Sequence, residues 1–150
     1  MSHPAPPDPQ WEARVRASFA AQRLMATLGA RLERVEPGAV EIALPYDERI
    51  GQQHGYVHAG AIAAIADSAC GYAALTLMPA DAAVLSVEFK VNMLAPAQAP
   101  LLVARGHVLK AGRTITVCRA DVFALDGKSE RRVAAMQGTM MTVRGRGISS

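Results

Sequence analysis

Gln52-Gln-His-Gly-Tyr-Val-His58-Ala-Gly60-Ala-Ile-Ala-Ala-Ile-Ala-Asp67-Ser-Ala-Cys-Gly71 is the stretch from which the rest of this 150-residue chain is read. A polar loop runs into a long run of small and apolar residues, the pattern of a buried helix over residues 58–78 that Pro79 stops. One carboxylate, Asp67, interrupts it about two and a half turns from the start. A carboxylate on an apolar helix must be neutralised, paired or put to chemical use.

Working outward, Trp11, Val15, Phe19 and Leu24 recur at near-helical spacing, with Arg14, Arg16 and Arg23 between them. That spacing predicts one amphipathic helix over residues 9–28. Residues 31–36 and 39–44 alternate apolar and polar positions on either side of Pro37-Gly38, which reads as a hairpin. After the long helix, strand character returns at 83–93, 101–109, 114–125 and 132–143. Turn-like residues separate these segments, Asp126-Gly127 most clearly. Helix, two strands, long helix, four strands is an α+β order, an antiparallel sheet wrapped around one central helix. Residues 1–8 read as a flexible leader and 9–150 as a single domain.

Two faces are legible on the central helix. Ile62, Ile65, Ala69, Tyr72 and Thr76 form a stripe suited to the sheet. Gly60, Ala63, Ala64, Gly71 and Ala74 surround Asp67 with small side chains that admit another backbone or a slim ligand. Spacing alone leaves two readings of Asp67 open: an ion pair inside tight packing, or a reactive carboxylate.

Composition narrows the function classes. Aromatic residues make up 5% of the chain, too few for base-stacking surfaces, so no nucleic-acid partner is expected. The net charge of +3 is uneven, about −3 over residues 1–102 and +6 over 103–150, which suits a small polyanionic ligand. Cys70 and Cys118 stand in apolar contexts without a CxxC motif and read as core thiols of a cytoplasmic protein. The N-terminal residues lack the apolar region of a secretory signal. Asp67 argues against membrane insertion of the apolar run. Four histidines without paired ligands at metal spacing imply no metal site.

His58-Ala59-Gly60, the Asp67 nine residues after His58, and Ser86-Val-Glu-Phe-Lys-Val-Asn-Met-Leu-Ala-Pro96 together resemble the PaaI-like branch of the hotdog-fold acyl-CoA thioesterases. The resemblance runs from about residue 38 to residue 143. It implies a hotdog fold and hydrolysis of acyl- or aryl-CoA to the free acid and CoA, with coenzyme A as part of the substrate and no separate cofactor. On that pattern Gln52, His58 and Asp67 take the family's loop amide, helix-start histidine and catalytic carboxylate, and Ser86 falls where some members carry a hydroxyl near the active site. The family's His-Gly-Gly is His58-Ala59-Gly60 here, and alanine keeps the backbone N–H that polarises the thioester carbonyl, provided the local backbone has no positive φ.

The chemistry follows from the residue types. Orphan N–H groups at a helix start, here Ala59 and Gly60, can polarise a thioester carbonyl. Asp67 would act as general base towards water or attack directly to form a mixed anhydride. Gln52 would hold the attacking water or orient Asp67. His58 would organise the helix start or donate to the carbonyl, and Ser86 would hydrogen-bond the water. Nine residues at 1.5 Å rise put Asp67 about 13 Å along the axis from His58 and about 180° round it. If both act on one substrate, Asp67 must come from a second subunit, which implies a homodimer or a dimer of dimers with sites at the interface. Lys90, Lys110, Arg113 and Arg131 are the candidate contacts for the CoA phosphates. The competing reading is a non-catalytic acyl-CoA-binding hotdog module. A hydratase is disfavoured, because the position five residues after Asp67 is Tyr72 and not histidine.

Overall fold

Alternating apolar and polar residues lay down β1 (Arg31–Glu36) and β2 (Ala39–Pro45), joined through Pro37 and Gly38. Gly38 takes φ +76°, a conformation open to glycine at no steric cost. β3 (Ala82–Met93), β4 (Leu101–Lys110), β5 (Ile115–Asp126) and β6 (Ser129–Arg144) follow the long helix. The computed structural model describes residues 3, 5–145, 147 and 148. In it the six strands form one antiparallel sheet in the order β1-β2-β4-β5-β6-β3. The sheet curls around α3 (Ala59–Leu75), which packs across every strand but β1. This is the hotdog arrangement expected from the sequence.

α3 lies close enough to the sheet that its main chain touches β4. A Cβ added at Gly106 would fall 2.5 Å from the Ala69 carbonyl oxygen and closer still to its carbonyl carbon. Ile65, Ala66, Ala69, Cys70 and Ala73 are fully buried around that contact, so small side chains set the depth of the helix. Cys70 and Cys118 are buried free thiols, and burial pushes the Cys118 thiol up to about 12.

The N-terminal helix expected over residues 9–28 is two helices, α1 (Trp11–Ala21) and α2 (Arg23–Leu28). They break at Gln22, whose backbone is extended at φ −78° and ψ 105°. The restart shifts the helical phase. Leu24, expected on the apolar face, is 53% exposed, and Met25 takes the core position at 1%. Tyr72, expected against the sheet, instead meets Phe19 of α1 edge-on, with ring centroids 5.6 Å apart.

Of the expected leader, residues 1, 2 and 4 lie outside the described residues, and its last residue, Asp8, is buried. Asp8 Oδ2 lies 2.9 Å from Arg14 Nε, in an ion pair almost closed to solvent. Arg14 also donates to the carbonyls of Leu75 (3.3 Å), Met78 (2.8 Å), Pro79 (3.0 Å) and Ala82 (3.0 Å). One guanidinium therefore closes the C-terminal end of α3, where orphan carbonyls and the negative end of the helix dipole converge.

Two stability measurements test these contacts. Gly106→Ala should cost about 3 kcal/mol in urea unfolding, the upper part of the overpacking range, because backbone and not a flexible side chain must yield. Arg14→Leu should cost about 3–5 kcal/mol, since it strands a buried Asp8 carboxylate. A loss under 1 kcal/mol in either variant would contradict the contact described.

Candidate active site

His58 precedes the first turn of α3 with φ −63° and ψ 138°, and its Nδ1 accepts the Gly60 N–H at 2.8 Å. A backbone N–H can only donate, so Nδ1 is unprotonated and the ring proton sits on Nε2. A Cβ at Gly60 would come within 3.0 Å of Nδ1, so glycine leaves the imidazole room to cap the helix. The Gly60 N–H is therefore engaged. The Ala59 N–H has no partner among the described residues and is the free donor at the helix start. No non-glycine residue among those described has positive φ, so alanine at position 59 bears no backbone strain.

The preceding loop is built around Gln52. Its Oε1 accepts the His54 N–H at 2.6 Å, its N–H donates to Tyr56 O, and its carbonyl accepts from Gly55, which takes φ +82°. Gln52 thus shapes the turn leading to His58. No hydrogen bond among the described residues joins Gln52 or His58 to Asp67.

Asp67 stands about 160° round α3 from the sheet-facing Ala69. It is half-buried, and Ser86 Oγ donates to its Oδ1 at 2.6 Å. A register shift between Ser86 and Glu88, where β3 pairs with β6, marks a bulge beside this contact. Asp67 and Ser86 share the wall of a cavity of about 300 Å³ with Ser18 of α1, Gln22 at the break between α1 and α2, and Ser68, Gly71 and Tyr72 of α3. Burial pushes the Tyr72 phenol up, partly offset by the Ser18 hydroxyl. The contribution of Ser18 and Gln22 was missed from sequence, since their spacing shows nothing of the helix break that brings them here.

The four candidate phosphate contacts do not form one cluster within the protomer. Lys110 and Arg113 sit at the β4–β5 turn, the end of the sheet where Thr76 Oγ1 accepts the Gly38 N–H. Arg131 donates to Pro96 O at the opposite end, where Val57 bonds Ala97. Lys90 lies on β3 in a surface groove with Glu88 and Arg119. Local charge composition along the chain carries no information about which end of a strand a residue occupies, and here it divides the basic set. Among the described residues, no group of three or more His, Cys, Asp or Glu is placed to hold a metal ion. No helix there is long and apolar enough to cross a membrane.

A family model described as the thioesterase superfamily matches residues 54–130. The chain is 30% identical over 94 residues to a 1,4-dihydroxy-2-naphthoyl-CoA hydrolase of Listeria monocytogenes, a match covering 63% of this chain and 76% of that one. It superposes with a TM-score of 0.88 on a thioesterase family protein from Silicibacter pomeroyi at 50% identity, covering 90% and 99% of the two chains. The PaaI protein of E. coli, from the phenylacetic acid degradation operon, shares the fold at a TM-score of 0.81 and 18% identity, over 91% and 95% of the chains.

The His58 cap can be separated from any chemical role. His58→Ala should lose about 0.5–2 kcal/mol in thermal or urea unfolding, and His58→Asp should keep most of it, because a carboxylate also accepts the Gly60 N–H. Equal losses in both variants would rule the cap out as the source.

Proposed function

The chain belongs to the thioesterase superfamily, and on that premise we propose that it hydrolyses acyl-CoA thioesters with Asp67 as the reacting carboxylate. The observation that carries this is Asp67 itself, half-buried on an otherwise apolar helix, held by Ser86 at 2.6 Å and open to a cavity. A carboxylate so placed is oriented yet has no cation paired with it among the described residues.

The reaction balances along either route. As general base, Asp67 takes a proton from water while the water oxygen adds to the thioester carbonyl; the tetrahedral intermediate then expels CoA thiolate, which recovers the proton. As nucleophile, an Asp67 oxygen adds to the carbonyl carbon and expels CoA thiolate to leave a mixed anhydride; water then cleaves that anhydride to the free acid and the Asp67 carboxylate, and the proton released goes to the thiolate. In both, the carbonyl oxygen gains charge and needs donors. The Ala59 N–H and the His58 Nε2–H are the available pair at a helix start. Gln52, already forming the turn, presents its amide NH₂ to the water.

These donors cannot reach the carboxylate of their own helix, so the proposed site joins Asp67 of one protomer with the helix start of a second. β3 supports such pairing. It is an edge strand of twelve residues whose Leu85, Val87, Phe89 and Met93 are 47%, 55%, 43% and 42% exposed. An exposed apolar edge is a template for a strand of another copy. Antiparallel pairing of β3 with its symmetry mate would also set Lys110 and Arg113 of one protomer at the same end as Arg131 and the helix start of the other. Cations gathered at one end in this way suit the CoA phosphates.

The test is release of CoA thiol from a panel of acyl-CoAs, with sedimentation run in parallel. Asp67→Asn should lower kcat by about 10²–10⁴ while sedimenting as the parent dimer. Undiminished turnover would remove Asp67 from the chemistry, and a monomeric active protein would remove the shared site. Binding of acyl-CoAs without turnover by the parent protein would make it a binding module.

A further inference from the structure

One wall of the cavity beside Asp67 is left unused by that chemistry. Between α1 and α2, the extended backbone of Gln22 turns its side chain towards α3, and Ser68 Oγ donates to Gln22 Oε1 at 3.3 Å. The NH₂ of the same amide has no acceptor among the described residues. Ser18, one turn earlier on α1, faces the Tyr72 phenol across the same space. The floor is Gly71, where an added Cβ would meet nothing within 4 Å, so the depth there is open room. At about 300 Å³ the cavity is at the small end of ligand pockets.

We propose that this wall is the acyl-selecting subsite, that it takes a compact acyl group carrying a hydrogen-bonding substituent remote from the thioester, and that Gln22 is its specificity-determining residue. The proposal rests on the thioesterase reading of Asp67. A plain alkyl chain would strip water from the Gln22 NH₂, which has no acceptor among the described residues, and return none to it. A hydroxyl, oxo or amide oxygen satisfies it. Sites built to hydrogen-bond a substrate group reject the analogue lacking it far more strongly than apolar pockets reject an added one.

Matched pairs differing by one distal hydroxyl, benzoyl- against para-hydroxybenzoyl-CoA and hexanoyl- against ω-hydroxyhexanoyl-CoA, are titrated calorimetrically into Asp67→Asn protein with and without Gln22→Leu. The hydroxylated member should bind about tenfold tighter in the Asp67→Asn background, the factor that one ordinary hydrogen bond supplies. Gln22→Leu should bring the two members to near-equal affinity. Equal affinities before the change, or a preference that survives it, would overturn the subsite. If Gln22→Leu fails to fold by thermal melt, Gln22→Met takes its place with the same two outcomes. Binding is read in a protein that should not hydrolyse its ligand, so failure of the subsite is distinct from failure of the thioesterase reading. Should Asp67→Asn still hydrolyse, the role given to Asp67 falls, and the kcat/KM ratio of each pair reports on the subsite.

Discussion

The contact of the Ala69 main chain with Gly106 sets the position of everything that matters here. With no side chain between them, α3 can settle onto β4 only at one depth, and the small residues on either side allow little rotation. Rotation decides where Asp67 points. Placed opposite the sheet contact, it emerges on the flank where β3 curls round, within reach of Ser86. A larger residue at position 106 would lift the helix and move the carboxylate with it. The chemistry is therefore tied to a packing detail on the far side of the helix.

The same helix is secured at both ends by different means. At its start, His58 caps the Gly60 N–H and so leaves Ala59 as the free donor. At its end, Arg14 gathers four carbonyls and pairs with buried Asp8. This second anchor fixes α1 over the flank of α3 and thereby makes the N-terminal segment part of the cavity wall. A segment that looks peripheral in the chain is thus placed beside the reactive carboxylate.

Legibility from sequence followed the range of the interactions. The strands, the hairpin at Pro37-Gly38 and the central helix rest on local periodicity and turn residues, and each is found within a few residues of its expected bounds. Asp67 stood out because a charge on an apolar helix breaks a local pattern, and the family resemblance pointed to His58, Gln52 and Ser86. The break at Gln22 was invisible: neither glycine nor proline marks it, and the six-residue α2 follows a phase set by burial of Met25. Arg14 looked like one more solvent-facing charge on an amphipathic helix. The basic third of the chain looked like one patch, and the antiparallel strand order divided it between the two ends of the sheet.

Sequence alone therefore determined the order and kind of the elements, the central position of the helix and the presence of a single unusual carboxylate on it. Periodicity, turn chemistry and capping act over a few residues and need no partner. Folding in three dimensions decided which groups meet. Ser86 reaches Asp67 across 19 residues, Gln22 reaches Ser68 across 46, and Arg14 reaches the end of α3 across more than 60. Those meetings depend on strand register, a bulge, a helix break and the depth of one helix on one strand. Such distances are set by the packing of the whole core, which no local stretch of chain encodes.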